Sequence, residues 1–87
     1  MNKLVKILVV IKLHNDIYKI IGNNIKKYRI NKGYNIEDLS LMTGLDKEYL
    51  QKTESVGVDG LITFDKLYKL ANSLDINMID LFKEKEE

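Results

Sequence analysis

From residue 16 onward the apolar positions recur at three- and four-residue spacing, the period of an α-helix. Ile21, Ile25 and Tyr28 fall on one face, and the spacing predicts a first helix from about 16 to 32. Asp16 is suited to its N-cap and Gly33 to its stop. Asn35 opens a second helix, with Asp38 three residues on in a box-like pairing. That helix ends near Thr43 and Gly44, and Asp46 caps a third running to about Glu54. The stretch "SVGVDGLI" reads as a loop by its two glycines. Thr63 opens a fourth helix with Leu67, Leu70, Ala71 and Leu74 inward, and Asn77 a short fifth with Leu81 and Phe82 inward.

The N-terminal stretch "MNKLVKILVVIKLHN" breaks this rhythm. As a strand, Val5, Ile7, Val9, Ile11 and Leu13 share one face, while Lys6 and Lys12 fall on the other. The abundance of β-branched residues favours that strand, and a longer first helix or a poorly ordered extension are the alternatives. The lysines and the lack of a small-residue cleavage site exclude a signal peptide, and the run is too short to span a bilayer. The chain therefore divides into an extension over 1–15, a helical domain over 16–83 and a tail over 84–87. A lone strand leaves backbone groups unpaired. Antiparallel pairing with its copy in a second chain satisfies them, so Val5, Ile7, Val9, Ile11 and Leu13 are assigned to a dimer interface.

Composition narrows the chemistry. With 45% apolar and 31% charged residues, the 87-residue chain has the balance of one small globular domain. It has no cysteine and one histidine, His14, so neither a thiolate metal site nor a Cys/His pair is available. No nucleophile and base pair up, no metal-ligand cluster is present and no glycine-rich phosphate loop occurs. The sequence thus implies no enzyme, no cofactor and no metal, and it gives no sign of a small-molecule ligand or a membrane partner. The net charge of +1 hides an asymmetry: residues 1–34 carry eight basic residues and one acid, and the remainder is acidic. A basic half can face phosphates, or it can be a solvated surface.

The stretch "EDLSLMTGLDKEYLQKTE" raises the main question. A glycine separates two short helices, and the second carries Lys47, Glu48, Gln51 and Lys52 with little apolar cover. Two helices can cross at roughly 90–120° through a short turn that often contains Gly. Gly44 supplies the left-handed backbone. Ser40 is small enough to let the helices approach, and Leu39, Leu45 and Leu50 are the apolar contacts that fix the angle. Ser40, Gly44 and Leu45 are thus read as the turn of a helix-turn-helix.

Residues 21–82, through "IGNNIKKYRINKGYN", "EDLSLMTGLDKEYLQKTE" and "LYKLANSLDINMIDLF", resemble the Cro/repressor-type helix-turn-helix domain of the XRE family. The resemblance implies an all-α, five-helix fold of the lambda-repressor type, here with an N-terminal extension. It implies a DNA-binding transcription regulator, often dimeric, hence cytoplasmic, with double-stranded DNA and a second copy as partners. It further implies that the helix over 46–54 enters the major groove. Lys47, Glu48, Gln51 and Lys52 are then the base-contacting set, since Lys can donate to guanine, Gln can bond adenine and Glu can accept from cytosine. Asn35, Tyr49 and Ser55 are the phosphate-contacting set, Tyr49 and Lys52 being alternatives for that role. Arg29 and Glu54 stand where family members carry an ion pair. The chain departs from the family pattern at Ile36, where glutamine is usual, and in the loop after Ser55, which lacks basic residues. Those departures, with Glu48, favour the alternative: a protein-interaction module on the same fold, such as an antitoxin.

Overall fold

The computed structural model describes residues 3–58 and 62–84, and for residues 4–16 the backbone alone. The side chains of Val5, Ile7, Val9, Ile11, Leu13 and His14 lie outside that description. Four α-helices follow one another: α1 (Lys3–Asn31), α2 (Ile36–Thr43), α3 (Lys47–Val56) and α4 (Phe64–Ser73). A 3₁₀ helix, Met78–Phe82, follows α4.

Two expectations are corrected here. The strand expected near the N-terminus is instead the first half of α1, which passes through Asp16 with no break. Extending an existing helix adds one backbone hydrogen bond per residue and needs no new nucleus, whereas a lone strand makes none. In this helical register Val5, Ile7, Val9, Ile11 and Leu13 no longer share one face, because two residues turn a helix by about 200°. The fifth helix of the expected five is a single 3₁₀ turn rather than an α-helix, so the architecture is four α-helices. In it Leu81 is buried, but Phe82 is outward at 37% exposure.

The helix ends follow local chemistry. After α1, Tyr34 N–H donates to Arg29 O (3.1 Å) and Gly33 N–H to Ile30 O (2.9 Å), closing a Schellman turn with Gly33 at φ 74°. Asn35 and Asp38 exchange hydrogen bonds at 2.8 and 2.9 Å, a complete capping box. The Thr63 hydroxyl accepts from Lys66 N–H (3.2 Å). Asp46 stands at the N-cap of α3, but its side chain makes no capping hydrogen bond.

The core is formed by Ile21 and Ile25 of α1, Leu39 of α2, Leu50 of α3, Val58 after it, and Leu67, Leu70, Ala71, Leu74 and Leu81. α1 is the spine, contacting both α3 and the 3₁₀ turn. One buried polar residue joins it to the C-terminal segment. Asn24 Nδ2 donates to the carbonyls of Leu81 and Lys83, each at 2.8 Å. Against α3 the approach is tighter: a β-carbon at Gly22 would meet the Thr53 carbonyl, and would lie 3.0 Å from Gly57 Cα. Val58 N–H, just past α3, donates to Tyr18 O of α1 (3.0 Å). The end of α3 is thereby docked backbone to backbone. No helix among the described residues is long and apolar enough to cross a membrane.

Candidate nucleic-acid interface

The turn between α2 and α3 is built from backbone and small polar side chains. Gly44, at φ 75° and ψ 9°, ends α2 and donates its N–H to Ser40 O at 2.8 Å. That left-handed conformation costs a residue bearing a β-carbon roughly 1–2 kcal/mol. The Ser40 hydroxyl crosses the turn and donates to Leu45 O (2.6 Å). Within this turn, Thr43 is the residue that sequence reasoning missed. Its buried hydroxyl donates to Leu39 O (2.7 Å) and accepts from Leu45 N–H (3.2 Å), so the chain leaving α2 has its polar groups paired. A polar residue on the inner side of α2, four positions after Leu39, was the available signal.

α3 is two-sided. Leu50 and Thr53 are buried on its inner side. Lys47, Glu48, Gln51 and Lys52 are all exposed, and their i, i+1, i+4, i+5 spacing places them on one outer face. The rear of the helix is fixed by Arg29 of α1. Its Nε and Nη2 donate to the two Glu54 oxygens at 2.7 and 2.8 Å, and Nη1 donates to Tyr34 O at 2.8 Å. The side chains are 14% and 7% exposed. The hydrogen bond to Glu54 raises the Arg29 pKa above its ordinary value, against the opposing effect of burial. Each charge is satisfied by a planar two-pronged contact that Lys cannot reproduce.

The other sequence-chosen positions divide into two groups. Asn35, Lys47 and Gln51 line one shallow cleft of about 270 Å³, with Ile36 and Glu37, between the N-termini of α2 and α3. Lys47 Nζ is 3.2 Å from Glu37 Oε1. Tyr49 and Lys52 line a second cavity of about 230 Å³ with Thr53, Val56, Gly57 and Val58, toward the C-terminal end of α3. Tyr49 is half-buried, and the Lys66 ammonium lies 4.7 Å from its ring centroid. The Asn35 side-chain oxygen is occupied in the capping box, leaving the helix-opening N–H groups of α2 as the feature there that can face an anion. Ser55 is exposed and turned back on α3, its hydroxyl donating to Lys52 O at 3.3 Å.

Comparison with known proteins places this geometry. A family model described as a helix-turn-helix domain matches residues 22–87. The HTH-type transcriptional regulator SinR of Bacillus licheniformis is 36% identical over 69 residues, which is 78% of this chain and 60% of SinR. The HTH-type transcriptional regulator SlrR of Bacillus subtilis is 36% identical over 63 residues, 72% of this chain and 41% of SlrR. The chain thus spans 60% of SinR and 41% of SlrR, less than two thirds of either. The solved N-terminal DNA-binding domain of Bacillus subtilis SinR superposes with a TM-score of 0.69 at 33% identity, covering 79% of this chain and 99% of that domain. The restriction-modification controller protein C.AhdI of Aeromonas hydrophila gives 0.67 at 29% identity, covering 75% of this chain and 96% of that protein. With the turn geometry, the matched family model and these relatives in agreement, the chain belongs to the helix-turn-helix domain family of the Cro/repressor (XRE) type.

Proposed function

We propose that this chain is a sequence-specific DNA-binding transcription regulator, acting as a dimeric repressor that lays α3 in the major groove. The observation that carries the reading is the two-sidedness of α3. Its rear is locked by Arg29 and Glu54, while four long polar side chains stand clear of the core on its front. An α-helix fits the major groove of B-DNA, and in helix-turn-helix proteins the N-terminal part of the second helix reads base edges. Lys47, Glu48, Gln51 and Lys52 take that role. The N–H groups of the first turn of α2, just after Asn35, face a phosphate, and Ser55 contributes to backbone contact; the Tyr49 hydroxyl is buried and takes no such part. The names of the SinR and SlrR relatives, and of the solved SinR domain, support the same reading.

Dimerisation runs through the N-terminal half of α1. Residues 4–13 are mostly apolar, a composition that a second copy can cover. Two copies paired there present two α3 helices to half-sites about 34 Å apart or a multiple of it.

A second reading has its own support. Glu37 and Asp38 occupy the first turn of α2 and Glu48 that of α3, and Ile36 offers no polar group at the same front. A surface so acidic suits a protein partner, as in an antitoxin. Selection of bound duplexes from a random pool, followed by salt titration, separates the two. A DNA reader enriches a motif and loses affinity with salt at a log–log slope near −0.9 per phosphate neutralised. On the enriched site Gln51→Ala costs about 1–3 kcal/mol if Gln51 reads a base. No enrichment at low salt rejects the DNA reading in favour of the protein partner.

A further inference from the structure

Lys47 is the first residue of α3, and its ammonium is already engaged. Nζ lies 3.2 Å from Oε1 of Glu37, in the first turn of α2. The contact spans the cleft between the two helix N-termini, beside Asn35 and Gln51. The side chains are 51% and 69% exposed, so the pair is weak and opens readily. Its position gives it weight, because it takes up one of the two cations, Lys47 and Lys52, on the outer face of α3.

We propose that Glu37 sets the strength of DNA binding by competing with the duplex for Lys47. The proposal rests on the reading of α3 as the DNA-facing helix. A phosphate oxygen, or guanine O6 and N7, must share the three Lys47 donors and their charge with the carboxylate, or draw the ammonium away from it. Glu37 then faces the negative potential of the duplex with its cation shared or withdrawn. Both consequences weaken the complex. The carboxylate has a local reason to be where it is, since an acid in the first turn interacts favourably with the partial positive charge at the start of a helix. A glutamine at 37 keeps the length of the side chain, but neither holds Lys47 through charge nor repels a phosphate. Losing an exposed pair of this kind corresponds to a change of up to about fivefold in affinity.

The test uses the full chain and a duplex selected from a random pool, with affinity read by fluorescence anisotropy at one fixed salt concentration. Glu37→Gln, Lys47→Ala and the double variant are compared. Both positions are solvent-exposed, and thermal melts confirm that the variants remain folded. Glu37→Gln is expected to tighten binding about two- to fivefold, Lys47→Ala to weaken it, and the gain from Glu37→Gln to be largely lost in the Lys47→Ala background. An equal gain in both backgrounds overturns the proposal, because Glu37 then acts by general repulsion. Unchanged or weaker binding by Glu37→Gln, while Lys47→Ala still weakens it, also overturns the proposal and leaves the DNA reading standing. If Lys47→Ala has no effect, Lys47 is not a DNA contact and the competition does not exist. If the wild-type chain binds no duplex, the DNA reading itself fails and this proposal with it.

Discussion

Gly22 of α1 lies so close to the Thr53 carbonyl of α3 that a β-carbon has no place between them. The obstacle is backbone on both sides, since Gly57 Cα would lie 3.0 Å away, and backbone in the middle of packed helices cannot step aside. Gly22→Ala gains about 0.5–1 kcal/mol of helix propensity, but overpacking of this kind costs about 1–3 kcal/mol or more. We expect a net loss, seen as a melting temperature lower by several degrees. Gly33→Ala is the informative comparison, because nothing lies within 4 Å of its β-carbon and the cost is conformational alone, at φ +74°. A Gly22→Ala protein as stable as wild type would mean that α1 and α3 are not packed at this distance.

Removing Arg29 strands a carboxylate. Glu54 is 7% exposed and receives both of its side-chain partners from the one guanidinium. Arg29→Ala should therefore cost about 3–5 kcal/mol. Arg29→Lys should recover only part of it, since an ammonium cannot donate to both oxygens and to Tyr34 O in one plane. Urea unfolding of Arg29→Ala, Glu54→Ala and the double variant checks this: the double variant should be less destabilised than the sum of the single changes. Simple additivity would show an exposed pair worth about 0–1 kcal/mol.

Asn24 makes two hydrogen bonds from its single amide nitrogen, to the Leu81 and Lys83 carbonyls. Asn24→Ala leaves the Leu81 and Lys83 carbonyls without their donor, at about 1–3 kcal/mol. The loss should be local as well as global. Amide exchange in residues 78–83 should accelerate more than in α2 or α3. Uniform acceleration would argue against a specific tether.

Asp80 carries a pH dependence of known sign. Its hydrogen bond from Lys83 outweighs the opposing desolvation and, with that from the Asn77 N–H, holds its pKa below the ordinary carboxylate range. A lowered folded pKa stabilises the protein above the unfolded value, about 3.9, and the contribution disappears as pH falls through the folded pKa. Melting of wild type and Asp80→Asn between pH 6 and about pH 2 should converge as acid is added. A constant difference would exclude this carboxylate as the source.

The dimer proposal is checked by mass. Gel filtration of the full chain and of a form lacking residues 1–14 should give a dimer and a monomer. Equal oligomeric states would remove the first half of α1 from the interface.

The middle of the chain was legible because the starts of α2 and α4 and the stops of α1 and α2 declare themselves locally. Asn35 with Asp38 and Thr63 are caps whose hydrogen bonds lie within a few residues of sequence, and Gly33 and Gly44 mark stops by backbone conformation. The N-terminus was not legible for an equally physical reason. Residues 4–13 are so rich in apolar and β-branched side chains that periods of 2 and 3.6 both fit, and the choice is made by continuity with α1. Asn24 and Gly22 were missed because their partners lie far along the chain, at Leu81, Lys83 and Thr53. A polar residue between Ile21 and Ile25 on the inward stripe of α1 was a usable sign. The cleft joining Asn35, Lys47 and Gln51 depends on the angle between two helices, which spacing along one helix cannot reveal.

The division of labour along α3 bears on how such a protein can change. Leu50, Thr53 and Glu54 anchor the helix, while Lys47, Glu48, Gln51 and Lys52 carry almost none of that weight. Substitutions at the four outer positions can accumulate in descendants of this gene with little penalty to folding. On the proposed reading of α3, a lineage can thus shift its target vocabulary while the scaffold beneath stays constant.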